Sequence, residues 1–336
     1  MMKYSIIIPA YNRSCLLERC LKHLSGLNKP DFDYEVLVAD NGPTDKNKRV
    51  YESFIGKIPN LSYFYEKESG LLVGRHSGAR KAQGEILCYL DEDSFVDKNW
   101  LIAIEKAFKN PEIKIATGLV LPEYEVKPPE WLKYAWIKNK HGKYLGSLSL
   151  LDFGQKEKIV SPLFVFGCNF IIRKQVFFDF KGTHPCSMPE GLFEYIGDGE
   201  TGLAKKLVLK GIQALYSPEI KINHFVADSR MTEDYFVKRF FHEGICNSFT
   251  EYRQKYGLYG KERNKYLVLA NYFRFFEKLS RHFAEKLLFS HDDNYKKCQK
   301  ILSEAKKSYN KGKLFHKEKV ENNPELLKYV LKENYL

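Results

Sequence analysis

Three acidic groupings hold the residues best suited to chemistry in this 336-residue sequence. Asp91-Glu92-Asp93 follows the apolar run Ile86 to Leu90, Asp40 follows Tyr34 to Ala39, and Asp198-Gly199-Glu200 opens an amphipathic segment. Two carboxylates brought together at the end of a buried strand repel one another, and a hard cation with oxygen ligands relieves the repulsion. Mn2+ or Mg2+ at Asp91 and Asp93 would keep coordination positions free for the oxygens of a substrate phosphate. Each residue also has a plainer use. The triplet can be a solvated turn, Asp40 can close an Asx turn, and Asp198 and Glu200 can be the cap and first-turn acid of a helix.

The elements that must position these groups alternate between short apolar runs and amphipathic stretches over the first 120 residues, the pattern of an α/β domain with a largely parallel sheet. Strands are predicted over 4–8, 34–39, 61–65, 85–90 and 115–121. Leu16, Leu17, Cys20, Leu21 and Leu24 recur at helical spacing, residues 70–83 read as a glycine-bearing loop entering a helix, and further helices are expected over 98–109 and 200–210, the last ending at Gly211. Residues 123–163, with Pro128-Pro129, Trp131 and Trp136, read as an irregular excursion of the kind that covers a site. Regular structure is expected to resume over 164–172, followed by a strand pair over 213–225. Beyond that the pattern is wholly helical, with Thr232 as N-cap and Glu233 and Asp234 in the first turn. Ligands of open α/β sheets bind at the carboxyl ends of strands, where Asp40 and Asp91 to Asp93 fall.

Two nucleotide-binding classes are excluded by the glycines. The turn after the first strand reads Pro9-Ala10-Tyr11-Asn12-Arg13, without the G-x-G-x-x-G of a dinucleotide fold, and no G-x-x-x-x-G-K-[ST] occurs. The segments Ser5-Ile6-Ile7-Ile8-Pro9-Ala10-Tyr11-Asn12-Arg13, Val36-Leu37-Val38-Ala39-Asp40-Asn41-Gly42 and Gly84-Glu85-Ile86-Leu87-Cys88-Tyr89-Leu90-Asp91-Glu92-Asp93 resemble the family 2 glycosyltransferases of the GT-A fold. Asp198-Gly199-Glu200-Thr201-Gly202-Leu203, with Gly211, Pro218 and His224 downstream, is similar to the family's later acidic motif.

The resemblance implies a GT-A nucleotide-diphospho-sugar transferase fold over residues 1–226, a mixed, mostly parallel sheet flanked by helices, with a C-terminal helical region over 227–336. It implies a metal-dependent, inverting transfer of sugar from a nucleotide-sugar, with a uridine diphosphate sugar favoured, to a glycan or lipid-linked acceptor in polysaccharide or glycoconjugate synthesis. A non-catalytic nucleotide-sugar-binding module of the same fold is the alternative. Pro9, Tyr11, Arg13, Asp40, Arg75, Asp91, Glu92 and Asn169 would line the donor site, with Tyr11 stacking on the base and Asp40 accepting a base N–H. Asp93, Asp91 and His224 would hold Mn2+ or Mg2+. Glu200 would be the general base and Asp198 the second choice, because the family usually presents Glu-Asp where this chain has Gly199-Glu200. Phe166-Gly167-Cys168-Asn169 resembles a segment on the acceptor side, where a small residue leaves room for substrate. Trp131, Tyr134, Trp136 and Tyr144 could form a sugar platform or simply pack.

Net charge is +12, and residues 231–336 hold 22 Lys and Arg against 14 Asp and Glu, a net of +8. That excess suits an anionic partner such as a lipid headgroup surface, or a solvated lysine-rich face. Tyr272, Phe276, Leu279, Phe283 and Leu287 fall on one face of an amphipathic basic helix that would dock on the catalytic domain or lie on a membrane surface. No nucleic-acid recognition motif accompanies the charge. Seven scattered cysteines without a C-x-x-C pair read as reduced thiols, and no signal peptide or spanning run is recognised. A cytoplasmic location is expected, with the inner membrane face as the peripheral alternative.

Overall fold

Tyr4–Ala10 forms β1, whose seven residues are all buried, and this strand sets the geometry of the site. The structure, a computed structural model, describes residues 3–28, 30–68, 70–186, 188, 191–259 and 288–336. β1 runs parallel to β2 (Tyr34–Asp40) and β4 (Ile86–Tyr89), in registers that pair Ala10 with Asp40 and Ile7 with Tyr89. β3 (Leu61–Tyr65) extends the parallel set beyond β2. Parallel strands covered on both faces need continuous apolar runs, which β1, β2 and β4 supply. Their shared direction brings Tyr11, Asn41 and Asp91 out along one edge of the sheet.

Past β4 the sheet becomes mixed. β11 (Phe170–Arg173) is antiparallel to both β4 and β6 (Ile115–Tyr124). β12 (Ala214–Val226) runs parallel to β6 and antiparallel to β5 (Ser94–Val96) and β10 (Lys158–Val160). β9 (Leu150–Asp152) joins β6 to a hairpin of β7 (Ile137–Asn139) and β8 (Gly142–Leu145).

Helices α1 (Ser14–Ser25), α2 (Lys46–Ser53), α3 (Leu71–Lys81), α4 (Trp100–Phe108), α5 (Lys174–Asp179) and α6 (Gly199–Leu209) flank this sheet. α3 packs directly on β1 because its inward face is small. A Cβ at Gly78 would stand 2.4 Å from Ile7 Cγ2, and one at Gly74 would stand 3.2 Å from Pro9 Cβ. After β12 come α7 (Glu233–Lys255), α8 (Asp293–Glu321) and α9 (Pro324–Val330). Thr232 caps α7 by accepting from the Tyr235 N–H. α7 and α8 cross with glycine on backbone in both directions: a Cβ on Gly244 would meet Tyr309 O at 2.0 Å, and one on Gly312 would meet Phe241 O at 2.0 Å. The main core is continuous across this junction, since Met231, Phe236, Cys298 and Ile301 belong to it. No helix among the described residues is long and apolar enough to cross a membrane.

Three expected segments differ in detail. The strand pair over 213–225 is one strand, β12, whose pairing with β6 shifts between Ser217 and Ile222; Pro218, with no N–H to give the ladder, lies in that shift. The regular segment over 164–172 is two single 3-10 turns, Pro162–Phe164 and Gly167–Asn169, leading into β11. The excursion over 123–163 carries four short strands rather than irregular chain. Its Trp131 is a core residue, edge-on to Phe236 of α7 at 5.2 Å, and its Tyr134 packs on Tyr295 of α8 at 5.5 Å. Tyr144 sits edge-on to Phe164 at 5.4 Å. The amphipathic stretch containing Tyr272, Phe276, Leu279, Phe283 and Leu287 lies outside the described residues.

Candidate active site

Asp91, Glu92 and Asp93 follow the end of β4, where Arg75 engages Asp91 and Arg13 engages both Glu92 and Asp93. Arg13, just before α1, donates from Nε to Glu92 Oε1 at 2.6 Å and from Nη1 to Asp93 Oδ2 at 2.8 Å. The Tyr11 N–H donates to Glu92 Oε2 at 3.0 Å, which ties the β1 turn to the β4 turn and leaves the Tyr11 ring half exposed. Burial pushes Glu92 up to about 7, with Arg13 and the Tyr11 N–H working against the rise. Pro9 lies under α3, against Gly74.

Arg75, on α3 and only 1% exposed, joins the β4 end to α6. Its Nη2 donates to Asp91 Oδ1 at 3.1 Å and its Nη1 to Glu200 Oε2 at 3.3 Å. The Gly167 N–H donates to Glu200 Oε1 at 3.2 Å. Glu200 still has 31% of its side chain accessible, and Asp91 24%. Burial would raise the Glu200 pKa, but Arg75 and the backbone N–H groups outweigh it and hold the carboxyl below its ordinary range. The site therefore contains an ionised, solvent-reachable carboxylate fixed by one guanidinium to the end of the β4 strand.

Three expected site residues sit elsewhere in function. Asp198 is buried at the N-terminus of α6. Its Oδ1 accepts from His184 Nδ1 at 2.6 Å, and its Oδ2 accepts from Thr250 Oγ1 and Tyr259 OH, both at 2.7 Å. Burial pulls its pKa up, while His184 and the two hydroxyls hold it low. With both oxygens engaged inside the protein, Asp198 is a strut between α6 and α7 and is not placed to take a proton from a substrate. Asn169 is likewise internal: its Oδ1 accepts from Trp100 Nε1 at 3.1 Å and its Nδ2 donates to Ile220 O at 2.9 Å, so no donor contact is left to it. Asp40 is fully buried, with Oδ1 accepting from the Gly42 N–H and Asn47 Nδ2 and Oδ2 accepting from Tyr63 OH. Its carboxylate holds the turn after β2 and offers no exposed oxygen to a base.

His224, on β12, completes the other side. Its Nδ1 lies 3.0 Å from Leu148 O; a carbonyl only accepts, so Nδ1 carries a hydrogen and Nε2 is the nitrogen turned to the site. That Nε2 faces Asp93 Oδ1 at 3.4 Å. Asp93 Oδ1 is buried without a hydrogen-bond partner among the described residues. Burial would raise Asp93, yet His224, Arg13 and Arg230 hold it well below the usual carboxylate range. An imidazole nitrogen and a buried carboxylate oxygen facing one another in this way are a donor pair that a cation could share. No group of three or more His, Cys, Asp or Glu side chains among the described residues could hold a metal by itself, so a cation here would draw further oxygens from a ligand.

The profile described as Glycosyl transferase family 2 matches residues 5–179, just over half of the chain. The chain belongs to glycosyltransferase family 2. It is 37% identical over 120 residues to an uncharacterized glycosyltransferase of Bacillus subtilis, covering 35% of this chain and 30% of that one. It is 36% identical over 98 residues to the glycosyltransferase AglE of Haloferax volcanii, covering 29% and 32% respectively. The chain thus spans about a third of the length of these relatives. A mannosyltransferase from Pyrobaculum calidifontis, solved in complex with GDP-Man and Mn2+, shares the fold at a TM-score of 0.50 and 18% identity, over 72% of this chain and 62% of that one. The fold is GT-A.

In this family 2 chain, several residues that shape the site carry no chemistry of their own. Gly167 was expected to leave room for substrate; the room is taken by Arg75, because a Cβ on Gly167 would stand 2.0 Å from Arg75 Nη2. Gly202 leaves room for the Asp198–His184 pair, since a Cβ on it would stand 2.2 Å from His184 Nδ1. The small residues within the acidic motif were the signal available in the sequence. His184, Thr250 and Tyr259 had none, since they meet Asp198 only through the fold.

Proposed function

We propose that this glycosyltransferase moves one sugar from a nucleoside-diphosphate sugar to a hydroxyl of a glycan or lipid-linked acceptor by direct displacement with inversion. The observation that carries the reading is Arg75, which fixes Asp91 at the donor end of the sheet and Glu200 at the start of α6 with one guanidinium. Glu200 takes the acceptor hydroxyl proton as the oxygen bonds to the anomeric carbon, and the bond to the diphosphate breaks with its electron pair leaving on the nucleotide. Arg75 keeps Glu200 ionised for that step and holds it aimed. Asp93 and His224, with Asp91 beside them, would hold Mn2+ or Mg2+, and when bound the cation would offset charge gathering on the departing diphosphate. The Pyrobaculum protein of this fold holds a nucleotide-sugar and Mn2+. Tyr11, half exposed at the end of β1, remains the stacking group for the base. A uridine donor, favoured by the sequence resemblance, must have its base edge read by groups other than the enclosed Asp40 carboxylate. Residues 1–226 would be the catalytic unit and 227–336 a helical region walling its acceptor side, in a cytoplasmic enzyme able to work at a membrane surface.

The test is Glu200→Gln. Turnover should fall by roughly 10²–10⁴ with nucleotide-sugar binding retained. A fully active variant would remove Glu200 as the base. In parallel, Asp93→Ala should abolish the Mn2+-dependent part of nucleotide binding, and unimpaired binding would remove the metal assignment.

A further inference from the structure

Glu92 holds the turn after β1 at two points. It accepts from the Tyr11 N–H at 3.0 Å and from Arg13 Nε at 2.6 Å, and Asn12 between them takes a positive φ of 54°. Both Glu92 oxygens are engaged in this way, so the carboxylate anchors the arginine. From that anchor Arg13 donates its Nη1 to Asp93 Oδ2 at 2.8 Å, while half of its side chain stays exposed. Its Nη2 takes part in neither bond.

Asp93 is partnered differently from the other buried aspartates. Asp40 and Asp198 each have both oxygens met by donors inside the protein. Asp93 has one oxygen on the half-exposed Arg13. The other, Oδ1, is buried beside His224 Nε2 at 3.4 Å, with no hydrogen-bond partner among the described residues. An aspartate serving only as a strut gains nothing from an unpaired buried oxygen, which costs free energy. Nor does the turn need Arg13 on Asp93, since Glu92 already holds it. What the bond supplies is a positive charge on Asp93 carried by the protein itself. A divalent cation shared by Oδ1 and Nε2 would meet the Arg13 guanidinium across one carboxylate, and the two repel.

We infer that Arg13 is a counter-ion for Asp93 that makes cation binding conditional on a nucleoside diphosphate. The inference rests on the proposed cation site at Asp93 and His224. Arg13 opposes a cation that arrives alone. A diphosphate arriving with it brings negative charge that compensates both, and the planar terminal N–H groups of Arg13 suit phosphate oxygens. Arg13 thus couples the two ligands, and by linkage each raises the affinity for the other by the same factor.

Binding of Mn2+ to the full chain, read from the electron paramagnetic resonance of the free ion and corrected for Mn2+ held by nucleotide in solution, tests this without turnover. Wild type and Asp93→Ala, compared with UDP or GDP present, report first on the cation site itself, which the variant should lose. Without nucleotide, Arg13→Gln should bind Mn2+ about tenfold or more tighter than wild type. A neighbouring arginine lowers a carboxylate's affinity for a proton by about one to three powers of ten, and a divalent cation feels the same field. Arg13→Met, which keeps an apolar stem, is a second charge-removing variant, and circular dichroism checks the fold of each. Arg13→Lys keeps the charge and should stay near wild type. The gain should vanish when Arg13→Gln is combined with Asp93→Ala, and nucleotide should raise the Mn2+ affinity of Arg13→Gln by a smaller factor than that of wild type. Unchanged or weaker Mn2+ binding in both charge-removing variants, a gain that persists without Asp93, or an equal gain in Arg13→Lys would overturn the inference and leave Arg13 as a brace of the β1 turn. In those cases Mn2+ held by wild type with nucleotide still keeps the cation site, whereas no Mn2+ binding by wild type or any variant would overturn both.

Discussion

Arg75 is a buried charge that survives because two carboxylates meet it, and removing either side of such an arrangement leaves the other uncompensated. Its position depends on a residue with no side chain. Gly167→Ala would place a methyl 2.0 Å from Nη2 and 2.8 Å from Cζ, so the guanidinium must move away from Glu200 and Asp91. We predict a loss of roughly 10²-fold in turnover, as for other displacements of about 1 Å at a reacting group, with secondary structure unchanged by circular dichroism. Wild-type rates of nucleoside diphosphate release from Gly167→Ala would sink this role. At this scale the sequence shows side-chain types well and partners badly. Asp91, Asp93 and Glu200 were visible as acids next to predicted strand or helix ends. That Asp40 and Asp198 are enclosed was not, because Tyr63 lies 23 residues from Asp40, and Thr250 and Tyr259 lie 52 and 61 from Asp198. An acid reads the same in a sequence whether its oxygens face solvent or a distant hydroxyl.

Among the elements, β12 shows why a strand could be foreseen and its shape could not. Its register shift against β6 presses the carbonyls of Ser217 and Ile220 onto Gly118, where a Cβ would stand 2.5 Å and 1.9 Å from them. Both obstacles are backbone inside a sheet, so the clash cannot be relieved by a rotamer change. Gly118→Ala should therefore destabilise the protein by about 3 kcal/mol, the upper range for overpacking, read as a shift of the urea midpoint at constant slope. A change under ~0.5 kcal/mol would show that the two strands separate easily here. β1, β2 and β4 were legible because strands buried on both faces must be apolar throughout. The three-residue strands β7, β9 and β10 were not, since each is defined by a partner across the sheet and is too short to show a period of its own. The turn at Asn139, whose Oδ1 accepts from the His141 and Gly142 N–H groups, makes the β7–β8 hairpin by local chemistry inside a stretch that reads as irregular.

The molecule as a whole is closed by its last described segment. α7, α8 and α9 enclose a second apolar cluster of Phe249, Tyr252, Val320, Leu326 and Val330. From there residues 331–336 return to α3, where Tyr335 O accepts from His76 Nδ1 at 3.1 Å, one residue from Arg75. The helical region was legible from its periodicity; this return was not, because it joins positions 259 residues apart. His316 of α8 gives the closure a measurable signature. It is fully buried, its Nδ1 2.9 Å from Ser248 Oγ of α7, and burial pulls its pKa from 6.5 down to about 4. Between those two values the unfolded chain binds a proton that the folded chain does not. The contribution is complete above pH 6.5, falls as pH drops, and levels off below about 4, with a slope of up to about 1.4 kcal/mol per pH unit. Between pH 7 and pH 5 the wild type should lose about 2 kcal/mol more stability than His316→Gln, with His76 and His184 titrating alike in both proteins. Chemical denaturation at the two pH values measures the difference directly, and parallel pH dependence would mean that His316 is protonated inside the fold and that the α7–α8 interface admits water.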